Sequence, residues 1–294
     1  MEKRIVERVK VMGKNYSLGV LFADDSNSGL THDYFAGILD SFKRTGEAKG
    51  YDISFLNCSR IPENRRTYLE QAEQRRYDGI VIACIDYDNA EVVELLNSTI
   101  PIVTIDQEID NVLTVKSDNE KGIKELVRYI ADMGHKRIAY IAGDDNLVTS
   151  IRMKGFRDTC KQLGIEIPNE YIRYSEYRNM KKASYHTEQL MRLTNPPSCI
   201  IFSDDFAAIG GINTLRARGF EIPSDISVAG YDGLNILLHY QPRLTTIRQN
   251  TTEIGRIAAE KLIECIDNPG TVKKDTIIVG TDLEKGRTVG RVFF

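Results

Sequence analysis

Ser117–Gly143 reads SDNEKGIKELVRYIADMGHKRIAYIAG, and its two halves obey different periodicities. In the first half Ile123, Leu126, Val127, Ile130 and Met133 recur at the three-and-four spacing of an amphipathic helix. Gly134 then stands where such a helix stops, because glycine takes the left-handed conformation of a C-terminal cap at no steric cost. Four residues on, Ile138–Ile141 is a short run that is apolar on both faces, as a strand covered by helices must be. Helix, glycine stop and apolar strand make one unit of a parallel α/β sheet.

Working outward, the same unit recurs. Further strands are expected at Leu18–Phe22, Ile53–Leu56, Ile80–Ala83, Ile102–Ile105, Cys199–Phe202 and Ile226–Ala229. One intervening helix carries the stripe Phe35, Ile38, Leu39 and Phe42, another Phe156, Cys160 and Leu163; Gly50, Gly164 and Gly219 repeat the stop signal. The 294 residues suit two domains, and no low-complexity or proline-rich tether separates them. Hydrophobic residues make up 41% and charged residues 28%, with a formal net charge of −3, which argues against a protein that coats nucleic acid. No run of apolar residues is long enough to span a bilayer. The charged start, MEKRIVERVKVMGKNYS, lacks the core of a secretory signal. The five cysteines lack disulfide-framework or zinc-ligand spacing, so free thiols in a reducing cytoplasm are expected. No metal or other cofactor is expected.

The polar chemistry collects after the strands. Asp24 and Asp25, Asp86 and Asp88, Asp106, Asp144 and Asp145, Asp204 and Asp205, and Asp232 each follow an expected strand. In a parallel sheet these ends share one edge, where ligands bind. Any one of these aspartates also reads as a helix cap; the set points to a crevice able to accept hydrogen bonds from sugar hydroxyls or purine N–H groups, or to bind Mg²⁺ with a phosphate. Arg152 is expected at the start of a helix over Met153–Leu163, where a cation opposes the helix dipole unless an anion repays it. Phe35 fits the core stripe, leaving Tyr34 beside it to face the crevice; with no Trp in the chain, Tyr and Phe must supply any stacking platform. P-loop, GxGxxG, GxSxG and HExxH motifs are all absent, so an enzyme is not expected.

The ordered blocks LGVLFADD, YFAGILDSF, DGIVIACI, PIVTID, GHKRIAYIAG, SIRMKGFRD, IPSDISVAGYDG and RLTTIRQN run from Leu18 to Asn250, within a likeness that extends from about Ser17 to Arg287. In that order they resemble the effector-binding core of the LacI/GalR family of bacterial transcription regulators. The resemblance implies a periplasmic binding protein-like type I fold: two doubly wound parallel-sheet subdomains joined by three chain crossovers. It implies a linker remnant over 1–16, an N-terminal subdomain over 17–116 plus 248–280, and a C-terminal one over 117–247 plus 281–294. It further implies a small effector, a sugar or a purine, held between the subdomains by Asp24, Tyr34, Phe35, Asp106, Arg152, Tyr177, Asp204, Asp205, Asp232 and Gln249. A sugar is favoured; a sugar acid would pair with Arg152 but meet repulsion from the carboxylates. The implied partners are a second copy in a homodimer and operator DNA, the latter through a DNA-binding domain outside this chain, since the family's helix-turn-helix and hinge motif have no counterpart in the residues before the first strand. A solute-binding protein of a sugar transport system is the alternative, and an α/β enzyme with an acidic site the third.

Overall fold

Strands that are buried on both faces need helices on both sides, and the chain supplies them by alternation. The computed structural model describes residues 13–23, 29–58, 66–235 and 241–292, which leaves Asp24 outside the described residues. Two compact units result.

The first unit runs to Lys116 and takes in Thr251–Ile278. Its chain order is β1 (Ser17–Phe22), α1 (Asp33–Ala48), β2 (Asp52–Phe55), α2 (Tyr68–Arg75), β3 (Gly79–Ala83), α3 (Ala90–Leu96), β4 (Ile102–Ile105) and β5 (Leu113–Ser117). β1 pairs in parallel with β2 and β3, β3 with β4, and β4 with β5. Every residue of β3 and β4 is buried.

The second unit comprises Ser117–Asn250 and the tail from Val279. It contains α4 (Asn119–Asp132), β6 (Ile138–Ala142), α5 (Leu147–Gln162), β7 (Ile172–Tyr174), α6 (Met180–Met191), β8 (Cys199–Phe202), α7 (Asp205–Ala217), β9 (Ser227–Ala229) and β10 (Thr246–Gln249). The chain then returns to the first unit for α8 (Thr251–Asp267) and β11 (Thr276–Val279), and ends in the second with β12 (Thr281–Glu284). The first sheet has the order β11-β5-β4-β3-β1-β2, the second β7-β6-β8-β9, with β6 parallel to β7 and β8, and β8 to β9.

Alternation along β6 shows why both faces of this sheet are dry. Ile138, Tyr140 and Ala142 join a cluster with Ile123, Leu126, Val127, Ile130 and Phe156, while Ala139 and Ile141 join the opposite one with Leu190, Ile212 and Leu215. α4 is capped by Asp118, whose carboxylate accepts from the Lys121 N–H at 3.0 Å, and closes through Gly134 at φ +95°.

Several expectations need correction. α5 begins at Leu147, capped by Asn146, so Arg152 lies in its second turn and not at the helix start. Leu163 is the C-cap residue and 44% exposed instead of lying in the core stripe. Tyr34 is the buried member of its pair and Phe35 the half-buried one, the reverse of the stripe reading. The strand holding Ile247 belongs wholly to the second unit, because β10 pairs antiparallel with β12 and bridges to Asp232; the second crossing therefore follows Asn250. β10 and β12 form an antiparallel ribbon beside an otherwise parallel design. Among the described residues no helix is long and apolar enough to cross a membrane.

Candidate functional site

The carboxyl ends of β6, β7, β8 and β9 are stitched together in the second unit. After β6, Asp144 accepts the Tyr177 N–H at 3.0 Å. Gly143 leaves the space that the Tyr177 ring fills: a Cβ at this position would collide with it. The Tyr177 hydroxyl then meets the Thr149 hydroxyl of α5 at 2.9 Å. After β8, Asp204 caps α7 by accepting from the Ala207 N–H at 2.8 Å, and its other oxygen accepts from the Ser203 hydroxyl and the Arg178 N–H, each at 2.9 Å. The fully buried Asp205 accepts from the Leu234 N–H at 2.8 Å and the Thr246 hydroxyl at 2.6 Å. Those two bonds tie the loop after β9 to β10.

Arg152 is the centre of the arrangement. It is 3% exposed. Its Nε donates to Asn119 Oδ1 at 2.8 Å and its Nη1 to the Ser203 carbonyl at 3.0 Å. Its Cζ lies 3.5 Å from the centre of the Tyr231 ring, close enough for a strong desolvated cation–π contact. Nη2 comes no nearer than 4.0 Å to Asp232 Oδ1. That oxygen accepts from Gln249 Nε2 at 2.7 Å. Asp232 itself sits at φ +105°, a strained position for a residue with a side chain. Its N–H donates to the Ile247 carbonyl and its carbonyl accepts from the Gln249 N–H, so pairing with β10 holds the strain in place.

Burial disfavours the charged form of a carboxyl. Burial is the largest influence on Asp232, raising its pKa to about 7 against the opposing pull of Arg152; Asp204 adds to the rise, while Gln249 and Arg178 lessen it. Asp205 is pushed well above the usual carboxylate range, by burial first and the Asp232 charge second.

Of the residues expected to bind a ligand, the second unit therefore assembles Arg152, Tyr177, Asp204, Asp205, Asp232 and Gln249. Within it, Asp204 and Asp205 serve the scaffold: their oxygens are engaged by backbone and hydroxyl donors. Sequence reasoning missed Asn119, Ser203, Tyr231 and Arg178. Tyr231 had a usable signal, since it adjoins Asp232 in an expected strand-end loop; Asn119 had none, because a helix N-terminal polar residue is ordinary.

In the first unit, the Phe35 ring meets Phe22, His32 and Tyr34 at centroid distances of 5.6, 4.9 and 5.0 Å. Asp106 follows β4 at φ +62°, its N–H donating to the Val115 carbonyl at 3.1 Å.

A family model described as periplasmic binding proteins and sugar binding domain of LacI family matches residues 15–286. The probable HTH-type transcriptional repressor ExuR of Bacillus subtilis is 30% identical over 285 residues, covering 96% of this chain and 83% of its own length. The HTH-type transcriptional repressor PurR of Photobacterium profundum is 29% identical over 239 residues, covering 80% of this chain and 71% of its own. Among solved structures, the transcriptional regulator CelR–cellobiose complex superposes with a TM-score of 0.80 at 20% identity, covering 94% of this chain and 85% of that one. A LacI family regulator from Enterococcus faecium with bound ribose gives 0.78 at 21%, covering 94% and 100%. At these identities the structural likenesses establish the fold.

Proposed function

We propose, for a chain that belongs to the family of periplasmic binding proteins and LacI-type sugar-binding domains, that it senses a small sugar-type effector and so controls an operator-binding domain in the cytoplasm. The observation that carries this reading is Arg152. It is buried, held at Nε and Nη1, backed by an aromatic face, and left with Nη2 directed toward Asp232 beside Gln249. A buried charge that helps hold the fold through two of its nitrogens and still keeps an unspent donor suits a polar ligand.

Arg152, Tyr177, Asp232 and Gln249 are the proposed contacts in the second unit; Phe35, Tyr34 and Asp106 are those of the first. Asp204 and Asp205 act by holding the loops. The relatives bearing the repressor name support a role in transcription, and those solved with cellobiose or ribose support a sugar. The effector works by binding one conformation of a homodimer better than another. A tenfold change in operator affinity requires about 1.4 kcal/mol of such coupling. Isothermal titration with a panel of monosaccharides, sugar acids and nucleosides tests the reading. Saturable binding of a sugar-type compound supports it; binding confined to nucleosides overturns it. Sedimentation equilibrium tests the dimer, which a concentration-independent monomer refutes.

A further inference from the structure

We infer, resting on the proposal that Arg152 meets the effector, that Asn119 is its positioning residue: a neutral anchor that fixes the direction of Nη2 and leaves the guanidinium charge for the ligand. A guanidinium is planar and carries five N–H donors in a rigid fork, so bonds at two of its nitrogens fix where the third points. Here those bonds run from Nε to Asn119 Oδ1 at 2.8 Å and from Nη1 to the Ser203 carbonyl at 3.0 Å, and the Tyr231 ring, its centre 3.5 Å from Cζ, covers one face. The ring sets the height of the guanidinium plane but permits rotation within it, and the Ser203 contact is a single point. Asn119 Oδ1 supplies the second point, and it is the one that a side-chain substitution removes.

The anchor is itself held. Asn119 is buried and is the first residue of α4, whose N-terminus Asp118 caps. Its Nδ2 donates to the Ser117 carbonyl at 3.4 Å. The amide therefore has one orientation, with its oxygen on Arg152 and its nitrogen on the backbone; a flipped amide would face donor with donor and acceptor with acceptor. A carboxylate of the same shape would keep the bond to Nε and lose the one to Ser117.

Charge separates the amide from that carboxylate. The groups that hold Arg152 are an amide oxygen, a backbone carbonyl and a phenol ring, all neutral, and the Asp232 carboxylate stands off at 4.0 Å from Nη2. A hydrogen bond between two charged groups is markedly stronger than one to a neutral acceptor. A carboxylate at position 119 would therefore draw on Nε the attraction that a ligand acceptor receives on Nη2.

The test compares the full chain with Asn119→Ala and Asn119→Asp. Nitrogen-15 NMR of the arginine side chains, with the Arg152 Nε–H assigned by its loss in Arg152→Lys, reads the positioning without any ligand. The wild type should show a slowly exchanging Nε–H; Asn119→Ala should speed its exchange about tenfold or more, and Asn119→Asp should keep it slow. Asn119→Asp should also melt close to the wild type, since an acid suits the first turn of a helix. Isothermal titration with ribose, glucose, galactose, cellobiose and glucuronate then reads the consequence. Whichever of these the wild type binds, both variants should bind about tenfold or more weakly. In Asn119→Asp that loss should come with the slow Nε–H intact, which a merely structural role would not produce. An Nε–H that exchanges no faster in Asn119→Ala overturns the inference, as does wild-type affinity in either variant. Silence of the wild type toward every probe overturns the sugar-sensing proposal instead, and the exchange measurement alone then decides whether Asn119 positions Arg152.

Discussion

Arg152→Ala should cost stability before any ligand is added, and the cost should grow with pH. The substitution removes two charge-assisted hydrogen bonds, to Asn119 Oδ1 and the Ser203 carbonyl, each worth about 1.5–3 kcal/mol. It also removes the guanidinium from the Tyr231 face, a contact of about 2 kcal/mol when desolvated. Against these losses stands the relief of taking a buried charge out of the protein, several kcal/mol by itself. The net loss expected for breaking such a buried arrangement is about 3–5 kcal/mol. For a unit of this size that is a drop on the order of 10 °C in melting temperature.

The pH dependence follows from Asp232. Its pKa is already raised to about 7, and Arg152 is the main group restraining the rise. Without Arg152 the folded-state pKa climbs further. A carboxyl whose pKa is raised in the folded state is harmless below its unfolded value and subtracts stability as pH passes through the folded value. The penalty of the variant should therefore be smaller at about pH 6 than at about pH 8.5, by about 1.4 kcal/mol for each further unit of rise. Urea denaturation at the two pH values, followed by near-ultraviolet and far-ultraviolet circular dichroism, measures this. A loss below about 1 kcal/mol, or a loss that does not change with pH, refutes the placement of Arg152 as a buried, Asp232-coupled cation.

Asp232→Asn should flatten the stability profile: the wild type should lose stability as pH rises from about 4 through about 7, and the variant should lose less over that window in thermal melts. Gly122→Ala should destabilise by about 1–3 kcal/mol, because a Cβ there meets the Tyr231 hydroxyl, with Thr281 Oγ1 at 2.9 Å and Ile247 Cγ2 at 3.1 Å; the gain that an alanine ordinarily brings to a helix would refute that close approach. His135→Ala should cost about 2 kcal/mol, since the buried ring joins the Ser198 hydroxyl at 2.9 Å to the Gly290 carbonyl at 3.1 Å. Trypsin should then cut sooner at Lys285, Arg287 or Arg291; unchanged proteolysis would count against His135 as the tie on the tail.

How much of this was legible in advance depended on whether the controlling physics was local. The Ser117–Gly143 stretch was readable because periodicity and a glycine stop are local signals, and α4 and β6 carry them intact. β7 is three residues long and β5 mixes polar with apolar positions, so neither displays a both-faces apolar run. β10 and β12 were illegible for a different reason: they pair across a long excursion through the first unit, with no turn between them to announce a ribbon. The site divides along the same line. Aspartates at strand ends could be counted, but whether an oxygen faces ligand or scaffold depends on donors elsewhere in the chain. Thr246 and Leu234 reach Asp205 from 41 and 29 residues away, and Arg178 reaches Asp204 from 26.

That long-range accounting changes what the acidic edge of the second unit means. Read as composition, the pairs Asp204–Asp205 and Asp144–Asp145 make an acceptor-rich crevice. Traced bond by bond, Asp144 holds Tyr177, Asp204 holds Arg178, and Asp205 holds the loop that presents Asp232. Asp144, Asp204 and Asp205 thus use their oxygens to fix neighbouring loop residues. The acids are the frame that holds these loops in place. A frame of this kind predicts that substitutions at the acids change ligand affinity through loop disorder, with stability falling in step.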